Sequence, residues 1–164
     1  MREATNAEIA LMPSSALRRD LPVGDIRRVD LLDAFPFENH NAIVTARGNV
    51  LQQILEQGFS LERGLLQVTG IVLSYDPTAS KGSRVQTVCV GDQPLNPGQL
   101  YTIATLEILA QGGDAYRQFL EAEQTQVLQE RFSDTLEKAF SGRESVDAQR
   151  AKGSSSLTGD TGVH

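Results

Sequence analysis

Cysteine occurs once in these 164 residues, tryptophan never and histidine twice, and aromatic residues together make up 5% of the chain. The single cysteine, Cys89 in RVQTVCV, excludes an intrachain disulfide and any CxxC metal cluster. Between valines it is expected to behave as a small buried hydrophobe. With only His40 and His164 available, a zinc or two-metal site would have to be built almost wholly from carboxylates. There is no Lys/Arg-rich run, and the formal charge of -6 argues against nucleic acid or an anionic membrane as partner. No window approaches the roughly 18 apolar residues of a membrane span, and the opening MREATNAEIAL lacks the apolar segment of a signal peptide. GxSxG elbows, Walker loops and dinucleotide fingerprints are also missing.

What is present fits one domain with one core. AEIALM (7–12) reads as a buried strand, and GDIRRVDLLDAF as a helix capped by Asp25. NAIVTAR reads as a strand. Gly48 opens a helix with a Val50, Leu51, Ile54, Leu55 stripe that Gly58 closes. LLQVTGIVLSYD, with a bulge or kink at Gly70, RVQTVCVG, QPLN and YTIATLEIL read as strands. Asp114 is expected to cap a helix over AYRQFLEAE. A last helix over 123–140 is predicted from Val127, Leu128, Phe132, Leu136 and Phe140 at three- and four-residue spacings. Strands in the middle with helices at both ends make an α+β pattern. The start reads as the last turn of a helix with a turn at Thr5-Asn6, so the chain is expected to be cut from a longer one. Residues 1–142 form the expected domain, and 143–164, rich in Gly, Ser, Thr and charge, a flexible tail.

Three stretches combine polar groups with unusual backbone or ring surface. SSALRRDLPVGD (14–25) joins small residues to paired arginines, whose forked donors suit phosphate or carboxylate; the alternative is a loop whose arginines pair with Asp20 or Asp25. In DAFPFEN, Pro36 stiffens the segment between two rings. A turn there sends Phe35 into the core and leaves Phe37 free to stack; the alternative buries both. QGGDAY brings the backbone and the Asp114 carboxylate toward a hydroxyl-bearing ligand, or else Asp114 is only a cap.

In order, the small-residue loop with Arg18, VGDI, PFEN, ARGNVLQQILEQG, GLLQVTGIVLSYD and YTIATLEILAQGGDAY resemble the C-terminal domain of the 5'-nucleotidase family, two-domain metallophosphoesterases that include UDP-sugar hydrolases. The resemblance runs from about Ala7 to Phe119. It implies mixed β-sheets with helices on the outer faces, layered α/β/β/α. It also implies that an N-terminal domain holds divalent metal ions and attacks the phosphate, while this domain grips the nucleoside. No catalytic residue, metal ligand or cofactor is then expected in this chain. The implied partners are a nucleotide or related phosphorylated small molecule and that N-terminal domain, with a hinge before Met1, and the implied location is periplasmic or extracellular.

Carried over by position, Arg18 helps to hold the substrate, Phe37 stacks on the base with Asn39 following it, and Asp114 binds ribose hydroxyls. Ile108 stands where the family has a second stacking ring, and Pro13, Ser14, Ser15 and Ala16 replace an Asn-and-glycine loop. The clamp is thus expected to be weaker or meant for a different group. Two rival readings are a structural or interaction module that has lost nucleotide binding, and a free-standing hydrolase using Asp114 and His40.

Overall fold

The structure, a computed structural model, describes residues 1–61 and 65–141. Its elements run α1 (Arg2–Thr5), β1 (Ile9–Pro13), α2 (Arg28–Ala34), β2 (His40–Arg47), α3 (Gly48–Ser60), β3 (Leu66–Thr69), β4 (Ile71–Tyr75) and β5 (Val85–Val90). They continue with β6 (Gln93–Pro94), β7 (Leu100–Leu106), α4 (Glu107–Ala110), β8 (Gln124–Arg131) and α5 (Phe132–Phe140). Two sheets result. The larger has the order β3-β1-β7-β2-β8 and the smaller β4-β5-β6. Among the described residues only β1 and β7 pair in parallel; the other pairs are antiparallel. The fold is α+β, with two sheets and helices.

The core follows from strand alternation and one helical stripe. Ala42, Val44 and Ala46 of β2 face the interior, with Ile103 and Tyr101 of β7 opposite the latter two. Leu51, Ile54 and Leu55 of α3 are fully buried, each contributing about 1.5–3 kcal/mol by leaving water. Through this stripe α3 packs against β2 and β3 of the larger sheet and β5 of the smaller. The chain crosses between the sheets at Gly70, the kink expected from the sequence. Its φ is +83°, and a Cβ there would collide with the carbonyl oxygen of Glu8.

Several local expectations change. The helix expected from Gly24 starts at Arg28. Asp25 does not cap it; instead the Asp30 carboxylate accepts the Arg27 backbone N–H at 2.8 Å. Bonds from the Arg27 side chain and backbone hold that carboxyl below its ordinary range. The helix α3 passes Gly58 and ends at Ser60. YTIATLEIL divides, its last three residues turning into α4. Asp114 caps no helix: AYRQFLEAE forms only a short 3-10 turn over Arg117–Glu121, entered from Tyr116 without a side-chain cap.

The predicted helix over 123–140 is a strand followed by a helix. As an edge strand with most of its side chains exposed, β8 shows no apolar alternation, and pairing with β2 overrides the helical spacing of Val127, Leu128 and Phe132. Cys89 is half-buried rather than sealed in the core. A short helix opens the chain and ends at Thr5 with a left-handed Asn6 (φ 53°), the turn expected there. The expected tail lies outside the described residues.

Candidate functional site

The loop after β1, the DAFPFEN turn, α4 and the Gly112–Tyr116 turn meet around a cavity of about 430 Å³. The SSA segment closes a single 3-10 turn, tied down by the Leu17 N–H to the Ser14 carbonyl (3.1 Å) and by the Arg18 N–H to the Ala34 carbonyl (2.8 Å). The second bond fixes Arg18 beside the end of α2, where the two phenylalanines begin. Arg19, by contrast, reaches outward to Asp33 at 3.6 Å between exposed side chains, a pair worth little. Among the described residues neither arginine makes the bridge to Asp20 or Asp25 that the alternative reading of the loop required.

Phe35 and Phe37 divide as a turn at Pro36 requires. Phe35 is 1% exposed and Phe37 36%. Their rings meet edge-to-face at 5.9 Å, and Phe132 at the start of α5 backs Phe35 at 4.4 Å. Phe37 is thus braced from behind by two rings. The Arg18 guanidinium lies over it, 5.4 Å from the ring centroid, a favourable cation–π distance. Asn39 enters the cavity wall just before β2, and its carbonyl accepts the Phe132 N–H at 2.9 Å.

Ile108, 40% exposed, and Asp114 also line the cavity. The Gly113 N–H donates to the Ile108 carbonyl at 2.8 Å, and a Cβ on Gly113 would overlap both that carbonyl and the Ile108 side chain. Glycine is therefore needed there for close approach. Gly112, Asp114 and Ala115 all have positive φ (78°, 50° and 69°), a conformation that costs non-glycine residues about 1–2 kcal/mol each. This strained turn carries Asp114 to the cavity, and the Gln57 side-chain amide secures it by donating to the Ala115 carbonyl at 3.0 Å.

Sequence reasoning did not single out Tyr116 or Leu61, which also line the cavity. Tyr116 sits two residues after the acid, a signal that was available; Leu61 follows the end of α3 with no signal at all. The Tyr116 phenol is pushed up to about 12, first by burial and then by the Asp114 charge, so it stays neutral at ordinary pH.

The cavity walls therefore bring Arg18, Phe37, Asn39, Ile108 and Asp114 together. They do not include His40, whose Nδ1 lies 3.1 Å from Glu107 Oε2. The Glu107 carboxylate also accepts the Gln111 amide at 2.9 Å. His40 and Asp114 are thus not joined in one site. Among the described residues no group of three or more His, Cys, Asp or Glu side chains could hold a metal ion. Chemically, the lining offers the Phe37 and Tyr116 rings, one guanidinium, one carboxylate, an amide and the Ser15 hydroxyl beside aliphatic surface. It can bind a flat polar ligand.

The pattern describing the 5'-nucleotidase C-terminal domain matches residues 1–121. The trifunctional nucleotide phosphoesterase protein YfkN of Bacillus subtilis is 32% identical over 130 residues, covering 74% of this chain and 9% of that protein. An apyrase of Tabanus yao is 29% identical over 127 residues, covering 68% and 23%. The chain thus spans less than a quarter of the length of these relatives. The crystal structure of a 5'-nucleotidase precursor from Thermus thermophilus superposes with a TM-score of 0.77 at 26% identity, over 84% of this chain and 30% of that one. A Haemophilus influenzae NAD nucleotidase shares the fold, with a TM-score of 0.70 at 20% identity over 81% and 26%. By the length of the match and by the fold, this chain belongs to the 5'-nucleotidase C-terminal domain family.

Proposed function

We propose that this domain recognises the nucleoside part of a nucleotide or a related phosphorylated small molecule. The observation that carries the reading is the convergence of Phe37, Arg18, Asn39, Ile108 and Asp114 on one cavity from four separate segments of chain. A base stacks on Phe37 opposite Ile108, with the Asn39 amide reading its edge. Asp114 accepts hydrogen bonds from ribose hydroxyls. Arg18, held against the Phe37 ring, is the cation available to a phosphate. Hydrolysis of the phosphate ester is assigned to a metallophosphoesterase domain on the N-terminal side of the full-length protein, where divalent metal ions would supply the nucleophile. The described residues offer no such metal cluster, so no step of that reaction is placed here. A periplasmic or extracellular location is proposed with it, supported by the precursor form named for the Thermus relative.

Isothermal titration with AMP, adenosine and 2',3'-dideoxyadenosine tests the reading. Adenosine is expected to bind more tightly than the dideoxy compound, and Asp114→Asn to erase that difference, because Asn tolerates the left-handed backbone while losing the charge. An identical response to both nucleosides in the parent chain would overturn the assignment of Asp114.

A second reading, a module without nucleotide binding, is favoured by one feature: Ile108 stands where a ring would complete the clamp, and Arg18 already covers Phe37. Failure of all three ligands to bind a folded sample at millimolar concentration would select it.

A further inference from the structure

The turn that carries Asp114 holds a poorly suited residue at its centre. The Tyr116 N–H donates to the Gly113 carbonyl at 3.0 Å, which closes a four-residue turn over 113–116. Both central residues have positive φ, Asp114 at 50° and Ala115 at 69°, the pattern of a type I′ turn. Such turns favour Asn or Asp followed by Gly. Asp114 suits the first position, because a short polar side chain tolerates left-handed backbone. Ala115 does not suit the second, where its Cβ meets the steric cost that glycine avoids.

Something in the fold must offset that cost. The flanks of the turn are anchored, since the Gly113 N–H donates to the Ile108 carbonyl at 2.8 Å and Tyr116 is 1% exposed. Asp114 and Ala115 between them are exposed. Among the described residues, the one hydrogen bond that reaches either of these two comes from Gln57, whose side-chain amide donates to the Ala115 carbonyl at 3.0 Å. Gln57 stands in the last turn of α3, a helix fixed by the buried Leu51, Ile54 and Leu55. A rigid element thus carries the donor, and the exposed turn takes its direction from it. One hydrogen bond and one misplaced Cβ are similar in size, so this bond is large enough to decide how the turn lies. Water can satisfy the same carbonyl but cannot hold its direction.

We propose that Gln57 is a positioning residue: its bond to Ala115 keeps the turn left-handed and so keeps the Asp114 carboxylate at the cavity. Gln57 is outside the cavity lining, so its effect on a ligand passes through the backbone of 114–115. The consequence for binding rests on the reading of Asp114 as the acceptor of ribose hydroxyls; the consequence for the free chain does not.

The test compares the parent chain, Gln57→Met, and Gln57→Met combined with Ala115→Gly. Met keeps the length and helix propensity of Gln and removes the donor, while Gly removes the strain. In the free chains, 13C shifts and one-bond Cα–Hα couplings report the sign of φ. Positive φ at Asp114 and Ala115 is expected in the parent and the double variant, and is expected to be lost in Gln57→Met. In titration calorimetry the preference for adenosine over 2',3'-dideoxyadenosine should fall about fivefold in Gln57→Met, the size of one hydrogen bond. It should return to within about twofold of the parent in the double variant, with affinity for the dideoxy compound steady to about twofold throughout. General loss of structure would weaken both nucleosides alike and leave their ratio unmoved. Positive φ retained in Gln57→Met, an unchanged ratio there, or no recovery in the double variant overturns the proposal. If the parent shows no preference, the ribose reading of Asp114 falls, and the φ measurement alone decides whether Gln57 holds the turn.

Discussion

Phe37 is held rather than merely exposed, with Phe35 edge-to-face against it, Phe132 backing Phe35, and Arg18 over its ring. If a base uses this ring, Phe37→Ala should weaken nucleoside binding by about 1–3 kcal/mol, and Ile108→Phe should strengthen it by about 1 kcal/mol, both measurable by titration calorimetry. Gly113→Ala should both lower the melting temperature and weaken nucleoside binding, because the added methyl displaces the Ile108 carbonyl and side chain that face the same cavity. A drop in melting temperature with unchanged affinity would separate Gly113 from the site. The division of Phe35 and Phe37 into core and surface was one of the two arrangements that the sequence around Pro36 allowed, and burial decides for it. The role of Asp114 as a helix cap was not borne out, because two left-handed residues in succession turn the chain away from a helix there. Tyr116 was passed over because a buried ring after a glycine pair looks like ordinary core until its neighbours are known.

At the scale of elements, β8 and α5 are fastened to β2 by Asn41. Its side-chain amide donates to Thr135 Oγ1 at 2.7 Å and to the Glu130 carbonyl at 3.3 Å. Thr135→Val leaves that buried donor short of a partner and should cost about 1–3 kcal/mol in urea unfolding. An unchanged midpoint would mean that the bond carries no net stability. The elements β2 and α3 were readable because one of their faces enters the core and the pattern records it, and β1 because it is an apolar run buried on both faces. β8 was not, because an edge strand with solvent around most of its side chains leaves no alternation to read. α2 was placed but its start was missed, since Asp30 three residues inside the helix holds the Arg27 N–H from below.

For the whole molecule, alkali is informative. In the unfolded chain Tyr116 loses its proton near its ordinary value of 10, whereas in the fold it does so near 12. Between those values the folded state binds the extra proton, so stability falls as pH rises through that window. Urea midpoints at pH 9 and pH 11 should differ in the parent chain and differ less in Tyr116→Phe; equal losses in both would shift the cause elsewhere. The topology itself, two sheets joined at Gly70, was legible only as a kink, because nothing in the residue types says which strands continue beyond it. The position of Phe132 has a practical consequence for anyone trimming this domain. The family pattern ends at residue 121, yet the ring behind Phe35 and the strand that covers the edge of β2 both come later. A protein cut at that point would present a bare strand to its neighbours in solution and should be recovered largely as aggregate.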